Sequence, residues 1–228
     1  MERTNGIYDF HTHTSLSDGE LPLADMLRHA VANGYVAIAV TEHYDAKNPG
    51  RFLPQLVRDC AAAQKEFAIT VIPGVEITQL PPTLIDTAAK SAKDLGARLV
   101  VVHGETLKNP KDPVTHGTNR AALASRHVDI LGHPGYLTSE DATLAKERGI
   151  FIEISANDGH APTNVRVAKL ALAAGAMLLV DSDAHRASAL LTAQRAQHIA
   201  LEAGLTPEQA RAALQDNPRA LLKKLGLT

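Results

Sequence analysis

Residues 35–43 read YVAIAVTEH. Six apolar residues in a row, with no polar alternation, suit a strand covered on both faces, the condition of a parallel sheet flanked by helices. Gly34 precedes the run and follows an amphipathic stretch over 22–33, as a helix-stopping glycine does. The run then ends in Glu42 and His43, two side chains able to bind a divalent ion. Residues 33–43 thus read as a helix end, a glycine, a buried strand, and a chemically capable strand end.

Working outward, the same unit recurs along the chain. Strand-like runs are GIYDFH (6–11), FAITVIPGVEIT (67–78), ARLVVVHG (97–104), VDILGHP (128–134), IFIEIS (150–155) and AMLLVDSDAH (176–185). Helix-like stretches lie between them at 22–33, 52–67, 83–95, 119–127, 139–148, 162–174 and 187–203, and Gly96, Gly149 and Gly175 stand at helix ends as Gly34 does. Seven βα units follow, closed by a helical tail from about 206, where Thr206-Pro207 and Asn217-Pro218 each open a helix. The expectation is one α/β domain over 1–228, a barrel of βα units; an open doubly wound sheet is the alternative. One connection, residues 104–120, is too long for a plain turn and is expected to serve function.

Composition narrows the function classes. The chain has 228 residues, 45% hydrophobic and 21% charged, with a net charge of −2. That charge gives no broad basic field for long nucleic acid. A single cysteine, Cys60, allows no internal disulfide, leaves nitrogen and oxygen as metal donors, and reads as a buried helix residue. The start has no apolar leader core and no segment reaches membrane-spanning length, so the expectation is a cytoplasmic protein without a membrane partner.

Each strand end carries a residue able to bind a divalent ion: His11 and His13; Glu42 and His43; Glu76; His103; His133; Glu153; Asp181, Asp183 and His185. In parallel α/β folds these ends share one face, where active sites form. His11 and His13, two apart on a strand, point the same way, and the Ser/Asp/Gly segment holding Asp18 can fold back over them. So many imidazoles and carboxylates on one face call for cations, and a multinuclear metal centre is the simplest account. Of the other histidines, His29, His127 and His198 fall in helical stretches and read as solvated. His116 and His160 fall in loops on the same face, where either could touch substrate. Glu153, Asp181 and Glu105 are each read two ways, as partners orienting a ligand or as plain hydrogen-bonded acids.

The ordered set HTH…SDG, TEH, GVE, VHG, GHP, SDAH resembles the polymerase and histidinol phosphatase (PHP) superfamily over nearly the whole chain. That resemblance implies a distorted (βα)7 barrel, three divalent ions (zinc, manganese or iron) and phosphoester cleavage. Carried over residue by residue, it implies one ion on His11, His13, Glu76 and Asp183. A second would lie on Glu76, His103 and His133, with Glu76 bridging, and a third on Asp18, His43 and His185. Two small departures are Glu42, where an Asp often precedes the histidine, and Asp18, where some relatives have His.

The expected activity is hydrolysis of a small phosphomonoester, resembling histidinol-phosphate phosphatase, with Glu76, His103, Asp183 and His185 at the chemistry. A nucleotide or oligonucleotide phosphoesterase or exonuclease is the alternative; a non-catalytic metal-binding domain and a C–N hydrolase are weaker ones. Expected substrate contacts are His160, Arg120 and Arg186. Arg120 follows a Gly-Thr-Asn segment whose helix-start N–H groups favour an anion. Arg186 follows His185 at an expected helix start, where a cation calls for an anion between it and the metals.

Overall fold

The computed structural model describes residues 6–106 and 114–227. Seven parallel strands form one sheet in sequence order: β1 (Ile7–Asp9), β2 (Tyr35–Tyr44), β3 (Thr70–Ile77), β4 (Leu99–His103), β5 (Ile130–Gly132), β6 (Phe151–Ser155) and β7 (Leu178–Asp181). Helices alternate with them: α1 (Leu23–Asn33), α2 (Leu53–Glu66), α3 (Ile85–Asp94), α4 (Thr118–Ala124), α5 (Ser139–Arg148), α6 (Asn164–Ala174) and α7 (Ala193–Glu202). The sheet curls into a nearly closed (βα)7 barrel, and the open-sheet alternative falls away. Glycine ends helices where expected: Gly34 and Gly149 take the left-handed conformation at φ 90° and 64° after α1 and α5.

The closing seam between β1 and β7 uses side chains in place of a full backbone ladder. One parallel bridge pairs Thr12 with Ala184, and the His13 amide donates to the Ala184 carbonyl at 2.9 Å. Beside it the Phe10 amide donates to Asp181 Oδ1 at 2.6 Å, and the Ser182 amide to Asp9 Oδ1 at 3.0 Å. Asp9 and Asp181 thus do a carbonyl's work where β1 is only three residues long. Burial, more than any neighbour, raises Asp9 to about 6 and lifts Asp181 well above the usual carboxylate range. Asp181, read two ways in sequence, is a seam residue.

Two apolar layers follow the period of two along each strand. Ile38, Val40, Val75, Val100, Ile152 and Val180 pack outward against the helices. Ala37, Ala39, Ile72, Leu99, Val101 and Phe151 fill the lumen, where Leu221 and Leu222 join them. These two leucines belong to the tail, α8 (Pro207–Arg211) and α9 (Asn217–Lys224), joined by a π-helical stretch over Ala212–Asp216. The tail therefore plugs the lumen, a role its sequence did not disclose. Continuing the lumen-facing parity upward reaches His43 from Ala37 and Ala39, Glu76 from Ile72, His103 from Leu99 and Val101, and Glu153 from Phe151. The core layer and the polar layer are one face of the same strands.

Two boundaries differ from expectation with consequences below. The helix expected over 187–203 starts only at α7, because Thr192 caps it by accepting from the Arg195 amide at 3.2 Å; Ala187–Ala189 is a separate 3-10 turn. In the long connection expected to serve function, residues 107–113 lie outside the described residues. Among the described residues no helix is long and apolar enough to cross a membrane.

Candidate metal centre

At the C-terminal mouth of the barrel, register brings the donors together. His43 on β2 is paired with Glu76 on β3, and His43 Nδ1 lies 2.8 Å from Glu76 Oε2. Glu76 Oε1 stands 3.4 Å from both His11 Nε2 and His133 Nε2. Asp183 Oδ1 lies 3.4 Å from His13 Nε2 and 3.7 Å from His11 Nε2. Asp18, on the loop after β1, reaches His43 Nε2 at 3.2 Å and His185 Nε2 at 3.3 Å. All nine residues carried over from the family pattern lie in this mouth. Their donor atoms, with those of His160, fall into four groups: His13, Asp18, His43 and His185; His11, His13 and Asp183; His11, Glu76 and His133; and His103, His133 and His160.

The loop carrying Asp18 is shaped by Glu42, read in sequence as a strand-end group able to bind an ion and as a departure from the family pattern. Glu42 is fully buried and accepts from the Thr14 amide at 3.0 Å, from the Thr14 hydroxyl and from the Ser17 hydroxyl. A Cβ at Gly19 would stand 2.4 Å from the His13 carbonyl oxygen, so only glycine lets the loop turn back there. Backbone strain is stored at the site as well: His133 and Asp183 adopt left-handed φ values of 31° and 50°.

A second set of groups orients the donors. His11 Nδ1 lies 2.7 Å from Glu153 Oε2, so the Glu153 carboxylate holds the His11 ring. His103 Nδ1 lies 3.0 Å from the Gly104 carbonyl, and His185 Nδ1 3.0 Å from the Asp183 carbonyl. Asn157 donates from Nδ2 to Asp183 Oδ2 at 2.8 Å, and was missed in the sequence because nothing marks a loop Asn beyond the end of β6. Glu105 behaves otherwise: its Oε1 accepts from the Gly117 and Asn119 amides at 3.0 and 3.1 Å, and Oε2 lies 2.9 Å from His116 Nδ1.

Charge within the cluster is strongly polarised. Burial disfavours the carboxylate of Glu76, yet His11, His133 and His43 hold it well below its usual range. Asp183 and Asp18 are likewise held low against burial, by His11 and His13 and by His185 and His43 respectively. In return, and again against burial, Glu153, Glu76 and Asp183 raise His11, while Asp18 and Glu76 lift His43 to about 10. Burial, reinforced by neighbouring imidazoles, lowers His13 and His103 to about 4, so both are neutral with a lone pair to offer. The carboxylates demand positive charge that either protons or divalent ions can meet.

The fit to metal rests on unsatisfied atoms. Among the described residues eleven buried side-chain nitrogen or oxygen atoms have no hydrogen-bond partner, and eight belong to His11, His13, His43, Glu76 and His133. Buried polar atoms are paired almost without exception in proteins, so eight converging orphans mark a place for cations.

The expected substrate contacts divide. His160 is 2% exposed and stacks on His133, ring centroids 3.8 Å apart, inside the donor cluster. Arg186 lines a cavity of about 410 Å³ beside Asp183 and His185 and donates from Nε to Ser188 Oγ at 3.2 Å. It precedes the 3-10 turn and not α7, so the helix-dipole reason for an anion beside it is lost. Arg120 lies outside the residues lining the mouth; its guanidinium is exposed and stands 3.7 Å from Asp141 on α5. The helix-start amides before it are already filled by the Glu105 carboxylate, which corrects the expectation of a substrate anion there. His198 pairs with Glu202 on α7, as a solvated helix histidine should.

Comparison with known proteins fits this geometry. The chain is 42% identical over 223 residues to an uncharacterised protein of Methanocaldococcus jannaschii, covering 96% of this chain and 99% of that protein. It is 28% identical to a probable phosphatase of Thermoanaerobacter sp. strain X514 over 89% of this chain and 88% of that one. Among solved structures, histidinol phosphate phosphatase from Lactococcus lactis, complexed with zinc, L-histidinol and phosphate, superposes with a TM-score of 0.64 at 16% identity, over 88% of this chain and 94% of that. A chain in the structure of archaeal ribonuclease P with mature tRNA superposes with a TM-score of 0.70 at 17% identity, over 95% and 90%. These last two likenesses establish the fold alone. The model of the PHP domain matches residues 9–148, from the end of β1 through α5. That match spans more than half of the chain, and the protein belongs to the PHP domain family.

Proposed function

We propose that the protein is a metal-dependent phosphoesterase acting on a small phosphomonoester. The observation that carries this reading is the set of eight unpaired buried donor atoms converging at the barrel mouth. His11, His13, Glu76 and Asp183 would hold one divalent ion, Glu76, His103 and His133 a second, and Asp18, His43 and His185 a third. When bound, divalent ions in such a site acidify water near neutral pH and neutralise charge developing on phosphoryl oxygens.

The chain's own residues set the rest. Glu153 fixes the His11 ring so that Nε2 faces the cluster, and Asn157 fixes Asp183. Asp18, exposed, and His43 and His185, half-buried, form the solvent side of the centre, where a substrate phosphoryl group would arrive. The mouth cavity of about 300 Å³, lined among others by Asp18, His43, Glu76, Thr78, Gln79 and His103, suits a small molecule. Arg186, which lines the neighbouring cavity beside His185, would meet terminal phosphate oxygens, which a monoester offers more freely than a diester.

The likeness to a ribonuclease P chain gives a nucleic-acid substrate the second place, and the net charge of −2 weighs against long duplexes. The test is hydrolysis, with zinc, manganese or iron supplied, of p-nitrophenyl phosphate, histidinol phosphate, bis-p-nitrophenyl phosphate and single-stranded DNA. Metal-dependent turnover favouring the monoesters is expected. Turnover of none, or preference for the diester or DNA, would overturn this reading.

A further inference from the structure

Four imidazoles at the barrel mouth share one device. His11 Nδ1 is held by Glu153 Oε2 at 2.7 Å, His103 Nδ1 by the Gly104 carbonyl at 3.0 Å, and His185 Nδ1 by the Asp183 carbonyl at 3.0 Å. The fourth is His160, whose Nδ1 lies 2.9 Å from Thr106 Oγ1. The carboxylate and the two carbonyls can only accept, so they fix the tautomer of the first three rings and turn the Nε2 lone pair toward the centre, which is how metal-binding imidazoles are held; the Thr106 hydroxyl can accept from His160 Nδ1 in the same way. His160 is not in the family set, and its sequence position, in a loop after β6, suggested only a substrate contact.

Its surroundings are those of a donor. The ring is 2% exposed and lies parallel to His133, 8° between planes and 3.8 Å between centroids. His160 Nε2 lies 3.7 Å from Asp183 Oδ2, and its donor atom groups with those of His103 and His133 within 4.8 Å of one another. His133 Nε2 in turn stands 3.4 Å from Glu76 Oε1. Three imidazoles and one carboxylate are a four-donor set of the kind zinc and iron accept.

We infer that His160 is a fourth protein ligand to the ion held by Glu76, His103 and His133, with Thr106 as the acceptor that orients it. This rests on the metal-centre reading above, and deepens it.

The test measures metal and not turnover. Protein stripped with chelator is titrated with zinc against a competing chromophoric chelator, and separately loaded with cobalt(II) for visible absorption. Wild type, His160→Ala, His160→Gln and Thr106→Val are compared, with circular dichroism to confirm that each folds. Wild type is expected to bind more than one equivalent. In both His160 variants one equivalent should weaken by about 100-fold or more, the upper end of what losing an outer partner alone costs, and the cobalt spectrum should lose part of its intensity pattern. Thr106→Val should weaken the same equivalent by a smaller factor. Variants that fold and match the wild-type zinc affinities and cobalt spectrum would overturn the inference and return His160 to substrate contact. If the His160 variants do not fold, Thr106→Val decides, and an unchanged affinity there overturns it. A wild type that binds no zinc would instead overturn the metal-centre reading.

Discussion

Glu76 is the residue on which the centre turns. It is 1% exposed, both its oxygens lack hydrogen-bond partners, and imidazoles of His11, His43 and His133 stand around it. Glu153 touches only the far side of one of those rings. Glu76→Gln should therefore reduce metal content at more than one position, whereas Glu153→Gln should keep stoichiometry and weaken affinity by roughly 10–100-fold. Elemental analysis after gel filtration, with zinc titration, separates the two; a Glu76→Gln protein with wild-type metal content would show that the carboxylate does not bridge. Eight of the nine residues of the family pattern were legible because they stand at or just past the end of an apolar run, and Asp18, on the loop after β1, because it belongs to the HTH…SDG pattern. Glu42, Asn157 and the donor role inferred for His160 were not, because each acts through a partner distant in sequence: Thr14 and Ser17 for Glu42, Asp183 for Asn157, Thr106 for His160.

The start of α4 shows how an element hides its own partner. The stretch before Arg120 offers helix-start amides, and sequence logic assigned them an external anion. The anion is internal: Glu105 accepts from Gly117 and Asn119, and it also sits favourably at the positive end of the helix. Glu105→Ala should cost about 1–3 kcal/mol, the penalty for leaving buried donors unpaired, read as a lowered urea midpoint with an unchanged slope. A midpoint within error of wild type would mean water replaces the carboxylate at no cost. On α2 the reading of Cys60 holds. The thiol is 1% exposed and burial pushes it up to about 12, so only a trace is thiolate at neutral pH. Folded protein should not react with Ellman's reagent over hours and should react at once in denaturant; prompt reaction when folded would place the thiol at the surface. The late start of α7 was not legible, since residues 187–192 have helical composition and the Thr192 cap decides the boundary.

At the scale of the molecule, the barrel is held at both ends by different means. At the mouth the donors and their partners tie strand to strand; at the floor Leu221 and Leu222 of α9 complete the lumen layer. Leu221 is wholly buried, so Leu221→Ala should destabilise the protein by about 2–5 kcal/mol, and a loss below about 1 kcal/mol would mean the tail is not part of the core. Helical periodicity announced the tail, but its docking into the lumen depends on a cavity that exists only once the strands have closed. We propose that this nearly closed barrel presents a multinuclear metal centre that hydrolyses a phosphomonoester. Its most direct test is elemental analysis of protein purified without chelator, alongside p-nitrophenyl phosphate hydrolysis before and after metal removal. More than one equivalent of divalent metal per chain is expected, approaching three, with activity lost on stripping and restored by zinc, manganese or iron. A protein that stays metal-free yet hydrolyses the ester at full rate would contradict it.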